Sequence, residues 1–226
     1  MAEPYSVVIP AFNAADTIGD ALRSIAGQSV RPAQVIVVDD GSSDDTAERA
    51  RAFGSVLDVV VVRQANAGCG AATNTGIDLV ATPVLSCLDA DDVWLPHKAE
   101  AQLALIAARP DLAGVCGQCQ TFRGPVGAPE LGPFMDIWGR TTLTIRMEAA
   151  RAIGPIIDGG RGDMVDWIAR GRDLGFRIEM MREVVGMRRI RPDSMAYGRD
   201  GEKDRGYLLA VKRALDRRRQ GRSGAD

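Results

Sequence analysis

The stretch that decides the fold class is QVIVVDDGSSDDTAERARAF, residues 34–53. It opens with an unbroken run of apolar, mostly β-branched residues and changes at Asp39 into a polar turn. Ser42 and Asp45 then stand at the spacing of a helix capping box, so a helix is expected to follow. A strand that is apolar without alternation is buried on both faces, which is typical of a parallel sheet covered by helices.

The same alternation of strand and helix continues on both sides of this stretch. Upstream, SVVIP at residues 6–10 is a β-branched run, and residues 16–27 place apolar side chains at helical spacing with Asp16 as the expected N-cap. Downstream, the patterns predict a strand over 56–62, a helix over about 71–80 and a strand over 83–88. The sequence therefore predicts an α/β fold with a Rossmann-like, mostly parallel central sheet and helices on both faces.

The second half of the chain shows weaker patterns. Residues 112–122, LAGVCGQCQTF, alternate like a strand, and their two cysteines are interpreted as buried core residues. Residues 121–134, TFRGPVGAPELGPF, concentrate glycine and proline and are expected to form a mobile loop. A polar connection after Gly186 is expected to lead into a final helix from Tyr207 to about Arg219.

Composition and charge exclude several classes of protein. The chain has 226 residues, a formal net charge of -2 and an isoelectric point of about 5.6, which give no argument for a nucleic-acid partner. No apolar run approaches the roughly 20 residues that span a bilayer, and MAEPYSVVIP at the N-terminus lacks the features of a secretion signal. A cytoplasmic protein is therefore expected.

A basic segment near the C-terminus leaves two interpretations open. KRALDRRRQGR, residues 212–222, carries six basic residues against one acidic residue. It is either a solvated, fraying tail or a contact for anionic lipid headgroups. The second interpretation would place the protein peripherally at the inner face of the membrane.

Three carboxylates crowd the segment VLSCLDADDVWLPHK, residues 84–98. Asp89, Asp91 and Asp92 directly follow an apolar strand, and Asp40 ends another. Because ligands of open parallel sheets bind outside the carboxyl ends of the strands, both acidic clusters are expected to meet at one edge. Left unpaired, the carboxylates would repel one another. The sequence therefore predicts Mg²⁺ or Mn²⁺ at this edge.

Three motifs in register identify a family. They are SVVIPAFNAADTIGDALRSIAGQSVRPAQVIVVDDGSSDDT, NAGCGAATNTGI and LDADDVWLPHK. In this order and at these separations the chain resembles the family-2 glycosyltransferases of the GT-A fold, closely over residues 5–100. The resemblance implies an inverting transferase that takes its sugar from a UDP-, dTDP- or GDP-linked donor. The acceptor is not specified by the sequence.

The resemblance also implies which residues bind the donor. Asp89 and Asp91 match the family's D-x-D pattern, which implies a Mn²⁺ or Mg²⁺ cofactor with Asp91 as the more direct ligand. Such an ion stabilises the charge that develops on a departing diphosphate. The expected nucleotide contacts are Pro10, Phe12, Asn13, Asp40, Asn66, Gly68, Asn74, Asp89 and Arg191.

An inverting displacement also needs a base for the acceptor's proton. Relatives often carry an acidic pair at the position of GRGDMVDWIARGRDLG, residues 160–175. Asp163 and Asp166 stand at i and i+3, so both could point into the site from one helix face. Asp163 is also a good N-cap, and a cap's oxygen is already occupied by backbone N–H groups. Asp166 is therefore preferred as the base, with Asp163 as the alternative.

Three departures from the family pattern support a second hypothesis. Thr73 stands where many relatives have arginine, Met164 where they have a second acid, and Arg191 where they often have histidine. Arg63 or Arg191 could replace the missing cationic contact, and Arg191 could pair bidentately with a diphosphate. The alternative to a working enzyme is a catalytically impaired module that binds a nucleotide or a partner.

The resemblance divides the chain into three expected parts. Residues 1–122 form the nucleotide-sugar-binding Rossmann-like part, residues 123–190 a small acceptor-side part of the same GT-A domain, and residues 191–226 a C-terminal connection with a basic helix or tail. Acceptor contacts are sought in the middle part. There Met135 and Trp138 could stack on the acceptor or form a packed apolar plug.

Overall fold

The computed structural model describes residues 3–157, 162–191 and 201–223. Within these ranges the centre of the protein is one sheet of nine strands. In chain order the strands are β1 (Tyr5–Ala11), β2 (Gln34–Asp39), β3 (Val59–Arg63), β4 (Val84–Cys87), β5 (Val93–Trp94), β6 (Leu112–Arg123), β7 (Glu130–Ile137), β8 (Thr144–Arg146) and β9 (Arg177–Arg189).

The same ranges contain seven α-helices and two short 3₁₀ turns. The helices are α1 (Ile18–Ala26), α2 (Thr46–Arg51), α3 (Cys69–Asp78), α4 (Lys98–Ala108), α5 (Met147–Ile153), α6 (Asp163–Asp173) and α7 (Gly201–Ser223). The 3₁₀ turns are Ala52–Ser55 and Arg140–Thr142, of which the second is named the 140–142 turn.

The first half of the sheet is parallel, and its strands are mostly apolar because helices cover both faces. β3, β2, β1 and β4 lie side by side in this order and run in the same direction. All residues of β1 are buried. Val7 enters one core with Leu22 of α1, whereas Val8 enters a second core with Ala72 of α3. The predicted α/β fold, with a Rossmann-like sheet and helices on both faces, is confirmed.

The second half of the sheet is mixed. β8 lies antiparallel between β4 and β6, β9 is parallel to β6, and the short β5 pairs antiparallel with β9. β7 folds back on β6 as the outer strand of a hairpin. This arrangement brings the end of β9 and the 140–142 turn to the same cavity as the carboxyl ends of the parallel strands.

Both predicted helix caps are wrong. α1 begins at Ile18 with Thr17 in the N-cap position, and Asp16 is exposed in the preceding turn. Ser42 does not cap α2, because its hydroxyl accepts a hydrogen bond from the Asn13 N–H at 2.9 Å. The loops after β1 and β2 therefore use such polar side chains to bind each other, and α1 and α2 begin without a side-chain cap.

The segment over residues 121–134 is a β-hairpin rather than the expected mobile loop. β6 extends to Arg123, the chain turns at Gly124 with a φ of 78°, and β7 returns beside β6. The Thr121 hydroxyl donates to the Pro133 carbonyl oxygen at 3.1 Å across the two strands. Glycine and proline serve the turn and the outer edge here, and local composition does not distinguish this arrangement from a loop.

Other element boundaries differ from expectation by a few residues. β3 begins at Val59, three residues later than predicted, because a 3₁₀ turn precedes it. The strand over 112–122 is confirmed, and both of its cysteines are buried. The division of the chain after 122 and after 190 stays a prediction; the first position lies inside β6 and the second just after β9.

The final helix is longer than predicted and begins at Gly201. Most of the polar connection expected before it, residues 192–200, lies outside the described residues. Among the helices that the structure describes, none combines the length and the apolar character that a membrane span requires.

A lysine is buried in the core. Lys98, the first residue of α4, has no exposed surface. Its ammonium donates to the Thr144 hydroxyl at 2.9 Å and lies 3.9 Å from the centre of the Trp94 ring. Burial lowers the pKa of Lys98 to about 7, because the charged form loses its hydration.

We expect the free energy of unfolding to depend on this lysine between about pH 7 and about pH 10.5. An unfolded lysine keeps its proton to about pH 10.5, whereas folded Lys98 releases it near pH 7, so the unfolded state binds more protons in this window. Stability from Lys98 therefore rises with pH. In urea unfolding, the advantage of Lys98→Met over the wild type should shrink as the pH rises.

Lys212 supplies the matched control, because it is exposed on α7. Lys212→Met should follow the pH dependence of the wild type. A constant difference in the free energy of unfolding between Lys98→Met and the wild type would show that Lys98 titrates normally in the folded protein.

Candidate active site

A cavity of about 840 Å³ opens at the carboxyl ends of the parallel strands. Its volume lies in the range of small-molecule and cofactor sites, roughly 300 to 1,000 Å³. Most of the residues that the sequence predicts for donor binding and catalysis line it. They are Pro10, Phe12, Asn13, Asp40, Asn66, Gly68, Asp89, Asp91, Asp163 and Arg191.

The end of β1 forms one wall of the cavity. Asn13 adopts a φ of 46°, in the left-handed region that asparagine tolerates better than most residues. Its N–H donates to the Ser42 hydroxyl, and its side-chain oxygen accepts from the Ser43 N–H, both at 2.9 Å. These bonds fix the loop after β1 against the loop after β2. The neighbouring Phe12 ring is left half exposed in the cavity.

Asp40 organises the turn before α3. Its carboxylate accepts hydrogen bonds from the Gln64 side chain at 2.8 Å and from the N–H groups of Ala67 and Gly68 at 2.9 Å. Gly68 has a φ of 93°, a conformation that favours glycine. Since a carboxylate offers about four acceptor positions, one position on Asp40 is left for a ligand.

The acidic loop after β4 forms the floor of the cavity. Burial, followed by the proximity of Asp89, raises the pKa of Asp91. Burial and then both neighbouring carboxylates raise the pKa of Asp92 well above its usual value. The Thr141 hydroxyl lies 2.5 Å from Asp92 Oδ2 and 3.2 Å from Asp89 Oδ2.

One hydroxyl carries one hydrogen, so Thr141 does not donate fully to both carboxylates. The contact with Asp92 Oδ2 is much the shorter of the two, so the hydroxyl donates mainly to Asp92. The other oxygen of Asp92 accepts from the Arg189 N–H at 2.8 Å. All three carboxylates of the loop line the cavity, but both oxygens of Asp92 are engaged by hydrogen bonds within the protein.

The acidic loop fits a divalent cation that is shared with a ligand. Burial and then the charge of Asp89 raise the pKa of Asp91, and the nearby Arg191 and Arg188 oppose this shift only in part. No group of three or more His, Cys, Asp or Glu side chains in the described residues is arranged to hold a metal alone. Mg²⁺ and Mn²⁺ are commonly held by one or two carboxylates together with substrate phosphates, and Asp89 and Asp91 suit that arrangement.

Arginines from the end of β9 face the acidic loop. Arg189 is nearly buried and donates to Asp20 Oδ2 at 2.7 Å, to the Asp91 carbonyl oxygen at 2.9 Å and to the Gly124 carbonyl oxygen at 2.8 Å. Arg188 and Arg191, which flank Arg189 in the sequence, also line the cavity. Arg191 Nε lies 3.9 Å from Asp91 Oδ2.

Of the two residues considered as replacements for the missing cation, Arg63 lies outside the cavity. Its guanidinium donates to the Ser42 carbonyl oxygen at 2.5 Å and lies 3.5 Å from Asp39 Oδ2. A different arginine reaches Thr73. Arg140 Nε donates to the Thr73 hydroxyl oxygen at 2.8 Å, so a cation from the 140–142 turn stands beside the position where relatives carry arginine.

The two candidate bases lie in different environments. Asp163 is the first residue of α6 and lines the cavity, where it pairs with Arg140. Asp166 is almost fully buried outside the cavity lining. It accepts from Arg217 of α7 at 2.9 Å, with Arg213 at 3.8 Å. Asp166 therefore lies against α7, whereas Asp163 faces the cavity, and the choice of base between them stays a proposal.

Asn74, one of the expected nucleotide contacts, uses its side chain within the protein. Its amide donates to the Ile156 carbonyl oxygen at 2.9 Å, and its oxygen accepts from the Ile156 N–H at 2.8 Å. Both ends of the side chain are thereby used to tie α3 to the segment after α5. Asn74 does not line the cavity.

The sequence predicted Arg191 but did not predict the contribution of Arg140, Arg188 and Arg189. Arg140 follows a glycine in a short segment without periodic pattern, so no local signal marks it. The paired arginines of MRRIRP could have been noticed as charge at the end of an apolar strand. Which of them turns inward is decided by pairing with β6, where Thr121 lies opposite Arg188.

Another wall of the cavity comes from the end of β7 and the residue after it. Met135, Ile137 and Trp138 line the cavity. The Arg172 guanidinium lies 4.1 Å from the centre of the Trp138 ring and covers one of its faces. Trp138 also packs against the buried core, whereas Met135 is exposed. This wall is therefore partly a packed plug and partly an accessible apolar surface.

The architecture is that of the GT-A fold, with the cavity at the carboxyl edge of a Rossmann-like sheet. Residues 6–160, more than half of the chain, match Glycosyl transferase family 2. The chain belongs to this family, which confirms the resemblance of its motifs.

Individual relatives agree with this assignment. Glycosyltransferase AglE of Haloferax volcanii is 28% identical over 209 residues, which cover 83% of this chain and 67% of AglE. Structures with the same fold include S. aureus TarS in complex with UDP-GlcNAc, with a TM-score of 0.74, 17% identity and coverage of 92% of this chain and 66% of TarS. Another is the Pyrobaculum calidifontis mannosyltransferase PcManGT with GDP-Man and Mn²⁺, with a TM-score of 0.70, 18% identity and coverage of 95% and 70%. The chain thus spans about two thirds of these proteins, and much less of others, such as 31% of a Rickettsia prowazekii glycosyltransferase.

We expect Arg189→Met to lower the free energy of unfolding by about 2 kcal/mol, because one carboxylate and two carbonyl oxygens lose a charged donor. Chemical unfolding at constant pH measures the effect. Arg188→Met is the matched control on the same strand, since no hydrogen bond from the Arg188 side chain stabilises the described structure. Equal losses of unfolding free energy in both variants would contradict the stabilising role assigned to the hydrogen bonds of Arg189.

Proposed function

We propose that this protein is an inverting glycosyltransferase that moves a sugar from a nucleotide-diphosphate donor to an acceptor hydroxyl by a metal-assisted single displacement. The observation that carries the proposal is the convergence of three groups in one cavity: the polar loops after β1 and β2, the acidic pair after β4, and a separate carboxylate at the start of α6. Donor binding, leaving-group stabilisation and proton removal each have a group of the right chemistry there.

The nucleotide would bind against the loops after β1 and β2. The exposed face of Phe12 can stack on the base, and Asp40 has one acceptor position left for a base N–H. The fixed loops of Asn13 and Gly68 supply a rigid frame around them. A uridine, thymidine or guanosine diphosphate offers an N–H for Asp40, so this frame is compatible with all three donors.

Asp89 and Asp91 would hold Mg²⁺ or Mn²⁺ together with the donor's phosphates. A bound divalent ion neutralises the charge that grows on the diphosphate as the sugar–phosphate bond breaks. Arg191 and Arg188 add fixed positive charge beside the same carboxylates. A guanidinium pairs bidentately with phosphate oxygens, so these side chains orient the diphosphate.

Asp163 would act as the general base. Its Oδ1 accepts the Met164 N–H at 2.6 Å and its Oδ2 accepts from Arg140, which leaves further acceptor positions for a hydroxyl of the acceptor. Asp166 is not assigned this task, because Arg213 and Arg217 occupy it away from the cavity. The acceptor would approach over Met135 and Trp138, whose apolar surface borders the cavity.

Both interpretations of the basic C-terminal helix, a solvated tail or a contact for anionic lipid headgroups, stay open. Arg217 is used internally, in ion pairs with Asp166 and Asp173. Leu208, Val211 and Leu215 are exposed at helical spacing on the same helix as the basic residues. This combination supports peripheral contact of α7 with an anionic membrane surface, and a location at the inner face stays a proposal.

A thermal-shift titration with UDP, dTDP, GDP and CMP, each with and without Mn²⁺, tests the donor site. One diphosphate should stabilise the protein most, and more with metal than without. A ligand at a hundred times its dissociation constant adds about 2.7 kcal/mol, so the shift should be easy to measure. Asp91→Asn should remove the part that depends on metal while the protein stays folded. No shift with any nucleotide would contradict the donor site.

A second test separates the two carboxylates of α6. The assay is release of nucleoside diphosphate from UDP-N-acetylglucosamine or GDP-mannose, with water as the acceptor. Asp163→Asn should slow this release by about 100-fold or more, because proton transfer to a base is lost. Asp166→Asn should keep most of the rate and instead lower stability, since Arg213 and Arg217 lose their buried partner.

The reverse pattern would return the base to Asp166. Nucleotide binding without any hydrolysis, and without transfer to a panel of sugars, would favour the alternative function. In that case the protein is an impaired module that binds a nucleotide or a partner, as Met164 in place of a second acid indicates.

A further inference from the structure

The 140–142 turn connects the parts of the proposed site. Thr141 bonds to the acidic loop through its hydroxyl, and its carbonyl oxygen accepts from the Trp94 indole at 2.7 Å. The Thr142 carbonyl oxygen accepts from the Gln102 side chain at 2.8 Å, which ties the turn to α4. Arg140, the first residue of the turn, points the other way, toward α3 and α6. The turn is therefore held in place on every side.

Arg140 makes two directed bonds with one planar group. Its Nε donates to the Thr73 hydroxyl oxygen at 2.8 Å, and its Nη2 donates to Asp163 Oδ2. Thr73 in turn donates its own hydrogen to the Cys69 carbonyl oxygen at 2.7 Å. The Thr73 lone pairs are thereby aimed at Arg140. Because the guanidinium is rigid, fixing its Nε fixes the direction of its Nη2.

We propose that Arg140 is a positioning residue for Asp163, oriented by Thr73 and held by the 140–142 turn. This inference rests on the function proposed for Asp163. The turn links the base to the acidic loop, so the groups at the two ends of the displacement are placed by the same short segment.

The geometry distinguishes this arrangement from an ordinary buried ion pair. Arg140 and Asp163 are both less than one-tenth exposed, yet both line the cavity. Arg140 occupies one carboxylate oxygen, and the Met164 N–H occupies the other. The carboxylate is thus held from the protein side at both oxygens, which leaves its remaining lone pairs as the only route for a proton from the cavity.

Arg140 supports a displacement that needs only the donor and an acceptor hydroxyl or water. An acceptor hydroxyl, or water, loses its proton to Asp163 while its oxygen forms a bond to the sugar's anomeric carbon. The bond from that carbon to the diphosphate oxygen breaks, and its electron pair leaves with the nucleoside diphosphate. Arg140 keeps its own protons throughout and turns the Asp163 carboxylate toward the hydroxyl.

The test compares Arg140→Lys, Arg140→Ala and Thr73→Val with the wild type in donor hydrolysis, using UDP-N-acetylglucosamine and GDP-mannose. A lysine keeps the charge but does not form both directed bonds, so Arg140→Lys should lower kcat about 100-fold with little change in KM for the donor. Thr73→Val removes only the bond to Nε and should lower kcat by about 10-fold. The thermal shift with the preferred nucleotide should stay unchanged in both.

Two further readouts separate positioning from folding. Added guanidinium ion should restore part of the hydrolysis rate of Arg140→Ala but none of that of Asp163→Asn, because only the first variant retains the base. In the Asp163→Asn background, Arg140→Lys should cause almost no further loss, since residues that act as a unit are not additive. If Arg140→Ala does not fold, the lysine and Thr73 variants still decide the question.

Wild-type kcat in Arg140→Lys, or losses that multiply in the double variant, would overturn the inference alone. A wild-type protein that binds a nucleotide but hydrolyses and transfers no donor would overturn the proposed function first and this inference with it. The two failures are therefore distinguishable in one set of measurements.

Discussion

Negative charge gathered at one poorly hydrated edge is the constraint on which this structure depends. The parallel strands must be apolar to be buried between two layers of helices, so their polar residues collect where the strands end. Three carboxylates of the acidic loop lie there within the reach of one another, and two have raised pKa values. The second half of the chain places a threonine hydroxyl and several arginines near this charge. The arginines come from the 140–142 turn and from the end of β9. The negative charge that these groups leave uncompensated indicates where a ligand would bind.

The sequence was informative wherever a local pattern determines the outcome. Unbroken apolar runs predicted the parallel strands, and motifs over the first hundred residues predicted most of the polar residues that line the cavity, with Asn74 as an exception. The cap at Ser42 failed because its hydroxyl instead accepts a hydrogen bond from the loop after β1. Asp163 and Asp166 were indistinguishable by spacing, since the difference between them is the docking of α7, more than forty residues away. The importance of Arg140 likewise depends on contacts with two distant helices.

The departures from the family pattern change meaning once they are seen in space. Thr73 lacks the charge of an arginine, yet its hydroxyl holds the guanidinium of Arg140. Arg191, in place of a histidine, stands beside Asp91. Positive charge is therefore present near the cavity, but Arg140 and Arg191 supply it from positions other than those of the family pattern. A count of matching motif residues would underestimate the chemistry that the site retains.

The hairpin of β6 and β7 has a consequence for the behaviour of the protein at high concentration. β7 pairs only with β6 within the described residues, and it exposes Leu131 and Phe134. A long, apolar, unpaired edge strand is a template for aggregation through strand addition. Pro133 lies in the middle of β7 and has no N–H to offer an incoming strand. Pro133 contributed to the prediction of a loop at this segment. In the folded protein it also protects against edge-to-edge polymerisation.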